Sequence, residues 1–161
     1  MKTLRLPNEE FMPVLFSLMQ EEGGASGTMT ARGQSMMPFI RHNRDLLRFT
    51  LDVDVRLGDV VLAEVAKGHY VCHRVVSLQG DRLTMRGDGN PVGVEHCRLA
   101  DVRARLQAVV RDGKTYDLRT SRAWKLYSAL WPRWSFLRRV LLAFYRATHG
   151  MPLLARNVSL D

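Results

Sequence analysis

Only two cysteines occur in 161 residues, Cys72 and Cys97, and they form no Cys-x-x-Cys pair. That spacing excludes a zinc knuckle and a thioredoxin-type redox site, and two buried free thiols are expected. No stretch of about 18 uncharged apolar residues is present, which excludes a conventional membrane-spanning helix. The opening MKTLRLPNEEF reaches an acidic pair before any apolar h-region, so no secretory signal is read there. The expected location is the cytoplasm, free or peripheral on a membrane. Internal repeats and low-complexity tracts are missing too. The most pointed absence is local: residues 118–160 contain neither Asp nor Glu.

That same window holds 8 of the 24 Lys and Arg residues and all three tryptophans, Trp124, Trp131 and Trp134. The preceding 117 residues are nearly balanced, with 16 basic against 15 acidic side chains. The net charge of +8 therefore belongs to the tail. A division follows from composition: an N-terminal helix and lead-in over 1–27, a body over 28–118, and a basic aromatic tail over 119–161. The whole is 46% hydrophobic and 25% charged, ordinary for a globular chain long enough to enclose a core.

Asn8 caps an expected helix over Glu9 to Glu22, with Phe11, Leu15, Leu18 and Met19 at helical spacing and Gly23-Gly24 as the stop. Beyond it the pattern turns to β. Thr28–Arg32, Asp45–Thr50, Asp59–Val65, His69–Leu78, Arg82–Arg86 and Val102–Arg111 are short segments of β-branched or alternating character. The clearest alternation sets Val102, Ala104, Leu106, Ala108 and Val110 against Arg103, Arg105 and Gln107. Turn sequences such as Lys67-Gly68, Gln79-Gly80-Asp81 and Asp112-Gly113 separate the segments. A mainly β body is predicted. After residue 118 the period becomes helical, with Trp124, Tyr127, Leu130 and Trp131 on one face. Pro132 then interrupts and can start a second helix. There Trp134, Leu137, Val140, Leu141, Phe144 and Tyr145 form an apolar side, with Arg139 and Arg146 roughly opposite.

The segment Gly33-Gln34-Ser35-Met36-Met37-Pro38 has the chemistry a nucleophilic serine needs. Gly33 permits close backbone approach, Pro38 stiffens the exit, and backbone N–H groups lie beside the hydroxyl. Taken alone it is a loop whose serine could equally cap a turn. Two landmarks raise it. His73 lies inside a predicted strand in Val71-Cys72-His73-Arg74-Val75-Val76, and Asp88 follows in Gly87-Asp88-Gly89-Asn90. The turn at Gln79-Gly80-Asp81 returns the chain, which carries Asp88 toward the sheet end near His73.

The order Gly-x-Ser-Met-x-Pro, Gly-Asp-Val-Val, His-Arg-Val-Val and Gly-Asp-x-Asn resembles the signal peptidase I type of serine peptidases. That superfamily includes the self-cleaving SOS repressors. The resemblance spans about residues 28–111, and four ordered motifs are more specific than any one of them. Bacterial members use a lysine base where this chain has His73. The endoplasmic-reticulum and archaeal signal peptidases use histidine, so the chain resembles the Ser/His variety.

The resemblance implies a signal-peptidase-like β fold, Ser35 as nucleophile, His73 as general base and Asp88 as the acid beside it. In the histidine type a second aspartate follows about six residues later. Val94 stands there, with Glu95 next to it, so Asp88 is the first choice of orienting acid and Glu95 the second. A side-chain hydroxyl two positions before the serine is replaced by Gly33, which leaves the oxyanion to backbone N–H groups. The implied reaction is hydrolysis of an extended protein or peptide segment by acyl transfer, with no cofactor and no metal. The alternative, in a different class, is a peptidase-derived binding module that has lost catalysis.

Other readings stand beside these. His73 as a strand histidine bonded to a carbonyl is the bland case. Lys67 is the other possible base, but it sits in an apparent turn beside Gly68. Cys72-His73 and His96-Cys97 invite a zinc reading, yet adjacent strand residues face opposite ways. The tail can pack on the body by its apolar faces, lie in a membrane interface, or bind nucleic acid. Dense Trp, Leu and Phe favour an apolar partner, so residues 119–161 are expected on a membrane surface and no nucleic acid is expected.

Overall fold

In the computed structural model, residue 17 and residues 27–131 and 135–149 are described. The expected helix over Glu9–Glu22 therefore lies outside the described residues, apart from Ser17, which is helical. Pro132 and Trp134 also lie outside them.

Eight strands form one antiparallel sheet. They are β1 (Gly27–Thr30), β2 (Leu46–Thr50), β3 (Val60–Ala66), β4 (His69–Gln79), β5 (Arg82–Arg86), β6 (Glu95–Arg98), β7 (Val102–Arg111) and β8 (Lys114–Asp117). A 3-10 turn, Leu99–Asp101, leads from β6 into β7. Two helices follow, α1 (Arg122–Leu130) and α2 (Ser135–His149). The strand order is β1-β2-β7-β3-β4-β5-β6, with β8 also pairing β7. The mainly β expectation therefore holds.

Strand β3 lies at the middle and is buried on both faces, from Val60 to Ala63. Alternate side chains point opposite ways along a strand, so β3 feeds two separate cores. Val60 and Leu62 join Phe49, Ala104, Leu106, Met36, Ile40 and Trp124 in one. Val61 and Ala63 join Val75, Leu83, Met85 and Val102 in the other.

The alternation expected along β7 is broken twice. Its register against β3 passes from Ala104 to Val102 across one step of β3, leaving Arg103 unpaired, which sends Val102 into the second core. Against β2 it skips Gln107, and the carbonyl of that bulged residue accepts from Leu118 N–H at 2.9 Å. Past this bulge Val109, rather than Val110, is the buried residue, and Arg105 is buried as well. Bulges shift which side chains face inward, and sequence periodicity alone does not show them.

The compositional division at 118 is no division in packing. Leu118 and Trp124 both belong to the first core. Ser121 caps α1, its hydroxyl accepting from Trp124 N–H at 3.4 Å. Both cysteines are free; Cys72 packs on the first core and Cys97 on the second. No described helix is long and apolar enough to cross a membrane.

Candidate active site

Ser35 sits in the connection between β1 and β2, and that connection is tied at its base. Ala31 N–H donates to Asp45 O at 2.9 Å, and Asn43 N–H to Ala31 O at 2.8 Å. The fully buried Asp45 carboxylate accepts from Arg41 N–H at 2.8 Å and from the Arg41 and Arg111 guanidinium groups. Burial alone would raise the Asp45 pKa. The bonds from Arg111 and Arg41 outweigh it and hold the carboxyl below its usual value of 3.8. Within the loop Gly33 has φ +91° and donates its N–H to His42 Nδ1 at 2.9 Å. His42 was not among the expected site residues; its role here is to shape the turn before Ser35.

The Ser35 loop lies directly on the Gly87–Asn90 turn. Gly89 N–H donates to Ser35 O at 2.7 Å. A Cβ on Gly87 would stand 2.5 Å from Ser35 O, and one on Gly89 would stand 2.6 Å from Gln34 O and 2.9 Å from Met37 O. Both positions need glycine because backbone meets backbone there. The sequence expectation concerned Asp88 and His73, and it did not include this contact of backbone with backbone.

Asp88 takes a different part from the one expected. Arg74, fully buried, donates Nε to Asp88 Oδ1 at 2.8 Å and its terminal nitrogen to Oδ2 at 2.6 Å. The same guanidinium donates to Gly58 O at 2.9 Å and to Ser128 Oγ at 2.6 Å. It also lies 5.9, 5.5 and 5.3 Å from the ring centres of Phe39, Trp124 and Tyr127. Such a buried charge persists only because every side of it is answered. Burial, with the negative charge of Asp88 adding to it, raises the Tyr127 hydroxyl far above its usual range. Asp88 is thus the counter-ion of Arg74, and its expected place beside His73 is corrected.

The acid beside His73 is Glu95. His73 Nδ1 lies 2.8 Å from Glu95 Oε2, with the imidazole 7% exposed and the carboxylate 31% exposed. Register explains the pairing. Val75 stands opposite Met85, and Met85 opposite Glu95, so Glu95 lies two strands away on the face His73 shares with Val75. Two strand spacings amount to about 10 Å, which the two side chains span together. Against a carboxylate acceptor Nδ1 carries the proton, which leaves Nε2 of the neutral ring with its lone pair. Among the described residues no hydrogen bond joins the Ser35 hydroxyl to the His73 ring.

The Cys72-His73 pair is split between the two faces of β4. Cys72 faces the first core while its neighbour His73 faces the second. Burial pushes the Cys72 thiol up to about 12, with Asp88 adding to the rise and Arg74 opposing it. Such a thiol is a poor nucleophile and a poor ligand. Among the described residues no group of three or more His, Cys, Asp or Glu could hold a metal ion.

The helices complete the turn that carries Asp88. Trp131 Nε1 donates to Asp88 O at 3.1 Å, Arg146 to Gly89 O at 2.8 Å and Arg138 to Pro91 O at 3.0 Å. Burial, joined by repulsion from Arg86, lowers the Arg138 pKa. The sequence pattern set Arg146 opposite the apolar side of its helix and gave Arg138 no face; no sequence signal pointed either at a backbone carbonyl. No family model, curated protein or solved structure matches the chain.

Proposed function

We propose that the chain is a serine endopeptidase of the signal peptidase type, with Ser35 as nucleophile, His73 as general base and Glu95 as the acid that orients it. The observation that carries this reading is the 2.8 Å pairing of His73 Nδ1 with Glu95. It puts the imidazole in the tautomer a serine nucleophile requires, with Nε2 as proton acceptor. Clasping of the Ser35 loop on the Gly87–Asn90 turn supports it further.

In the proposed reaction Ser35 Oγ attacks a peptide carbonyl and passes its proton to His73 Nε2. The oxyanion is met by backbone N–H groups, that of Ser35 first among them. The C–N bond breaks as His73 protonates the leaving amine, and water, deprotonated by the same ring, releases the acyl group. Glu95 stabilises the imidazolium in both halves. An extended substrate would add to β1, whose outer edge has no partner among the described residues and which runs straight into the Ser35 loop.

Incubating the full chain with unfolded proteins, and reading new termini by mass spectrometry, tests the proposal. Cleavage is expected to vanish in Ser35→Ala and to fall by roughly a thousandfold or more in His73→Ala. An undiminished rate in Ser35→Ala ends the serine-peptidase reading. The missing Ser35–His73 hydrogen bond favours the second reading, a fold that binds extended peptide without cleaving it. Peptide binding with no cleavage by the wild-type chain would establish that alternative.

A further inference from the structure

Helix α2 is mounted the wrong way round for a helix that packs by its apolar side. Arg138 and Leu142 are its buried residues, and Arg138 and Arg146 bond to the carbonyls of Pro91 and Gly89. Phe136, Leu137, Val140, Leu141 and Phe144 follow the i, i+1, i+4, i+5, i+8 spacing of a single helical face. That face is open to solvent: Phe136 is 80% exposed and Phe144 is 69% exposed. Helix α1 packs on the body through the apolar Trp124, yet it too turns large apolar side chains, Leu126 and Leu130, outward. Packing on the body by the apolar side, one of the three readings of the tail, is therefore not what α2 does; Arg138, Leu142 and Arg146 hold it in place.

We propose that the exposed apolar face of α2, with the outward leucines of α1, docks on the surface of an anionic lipid bilayer. Large apolar side chains displayed in one stripe are rare on a soluble surface and mark something that covers them. Charge identifies the cover. Residues 118–160 hold no acid; Arg139 is exposed on α2, and Arg122 and Lys125 are exposed on α1, the helix that carries the outward leucines. Such a face is attracted to negative headgroups while its Phe and Leu enter the acyl boundary. A symmetric pairing with a second copy would bring the same cations against each other. A nucleic acid would meet phenylalanine and leucine where its phosphates need cations. At about 1.5 Å per residue α2 is too short to span the roughly 30 Å of hydrocarbon, so it lies in the interface plane.

The test reads lipid binding alone and is independent of whether Ser35 is a nucleophile. Full-length protein is sedimented with vesicles of phosphatidylcholine, and with vesicles of equal parts phosphatidylcholine and phosphatidylglycerol, at low and high salt. Partition into the anionic vesicles is expected to exceed that into the neutral ones by roughly tenfold or more and to drop at high salt. The paired substitution Phe136→Ser and Phe144→Ser is expected to lower anionic binding roughly tenfold with an unchanged thermal melt, because both positions are exposed. Should that variant melt early, Lys125→Glu with Arg139→Glu tests the electrostatic half without touching the stripe. Equal partition into both vesicles, or wild-type binding by both double variants, overturns the proposal. A solution dimer that Phe136→Ser and Phe144→Ser dissociate assigns the face to a second copy and overturns it equally.

Discussion

His73 and Arg74 are neighbours on one strand, and each takes an acid from the chain that follows β5: Asp88 from the turn after it, Glu95 from the start of β6. On one face Arg74 and Asp88 are sealed from water, under three aromatic rings and a serine hydroxyl. On the other, His73 meets a Glu95 that keeps about a third of its surface in solvent. The pairs look alike as a basic and an acidic side chain at hydrogen-bond distance. Their surroundings separate them. A guanidinium stays charged at any working pH, so the Arg74 pair can hold structure but cannot move a proton. An imidazole, by contrast, is a side chain that can gain and lose one.

The difference is best broken from the sealed side, where the largest effect is expected. Asp88→Ala leaves a buried guanidinium with neutral partners only. Removing one member of such a pair costs about 3–5 kcal/mol, a large part of the roughly 5–15 kcal/mol that holds a domain together. The urea midpoint measures it. The added change Arg74→Met, which removes the stranded charge, is expected to recover part of the loss. An Asp88→Ala protein of wild-type stability would show that the pair does not anchor the turn.

Glu95→Gln probes the open side. Turnover is expected to fall roughly a hundredfold, equivalent to about 2.7 kcal/mol in the barrier, while the urea midpoint moves by less than about 1 kcal/mol. Turnover falling with stability kept separates this acid from Asp88. Equal losses in both would erase the distinction.

The smallest effect concerns a buried aspartate away from β4. Asp45 is held below its usual 3.8 in the folded chain, by Arg111 and Arg41 against the pull of burial. Its contribution is therefore complete above the unfolded value and is lost as pH falls through the lower folded one. Thermal scans from about pH 6 down to about pH 3 are expected to show a steady Tm and then a decline, which Asp45→Asn flattens. Because Asp45 ties the base of the Ser35 loop, activity is expected to decline with it. A decline of full size in Asp45→Asn assigns the acid sensitivity to other carboxylates.

Sequence alone placed most of the long strands within a residue or two, because Gly, Asp and Asn mark their turns and β-branched residues fill them. It missed β6 and β8, four residues each and without a run of apolar side chains. Missing β6 had a cost at the site, since β6 is the strand that carries Glu95 into register with Met85. With that strand absent, Asp88 looked nearer to His73 than Glu95 did. The alternation of Glu95 and Cys97, half-buried, against exposed His96 was the one available hint. The ordered motifs made the Ser35 loop, His73 and the Gly87–Asn90 turn legible as candidates, but not the backbone contact between the loop and the turn. Arg74 was not: a charged residue in a β pattern reads as solvent-facing, and only its aromatic and carboxylate surroundings reverse that.

Strand β3 has a further consequence. Val60, Leu62 and Val61, Ala63 are walls of two different cores, yet they are one backbone four residues long. Neither core can melt without releasing the wall of the other, so the two clusters form one cooperative unit rather than two. Amide exchange is expected to be slowest at Val61 and Leu62 and to report the global unfolding free energy on both sides of the sheet. A pair of separate exchange plateaus for the two cores would show instead that the strand bends between them.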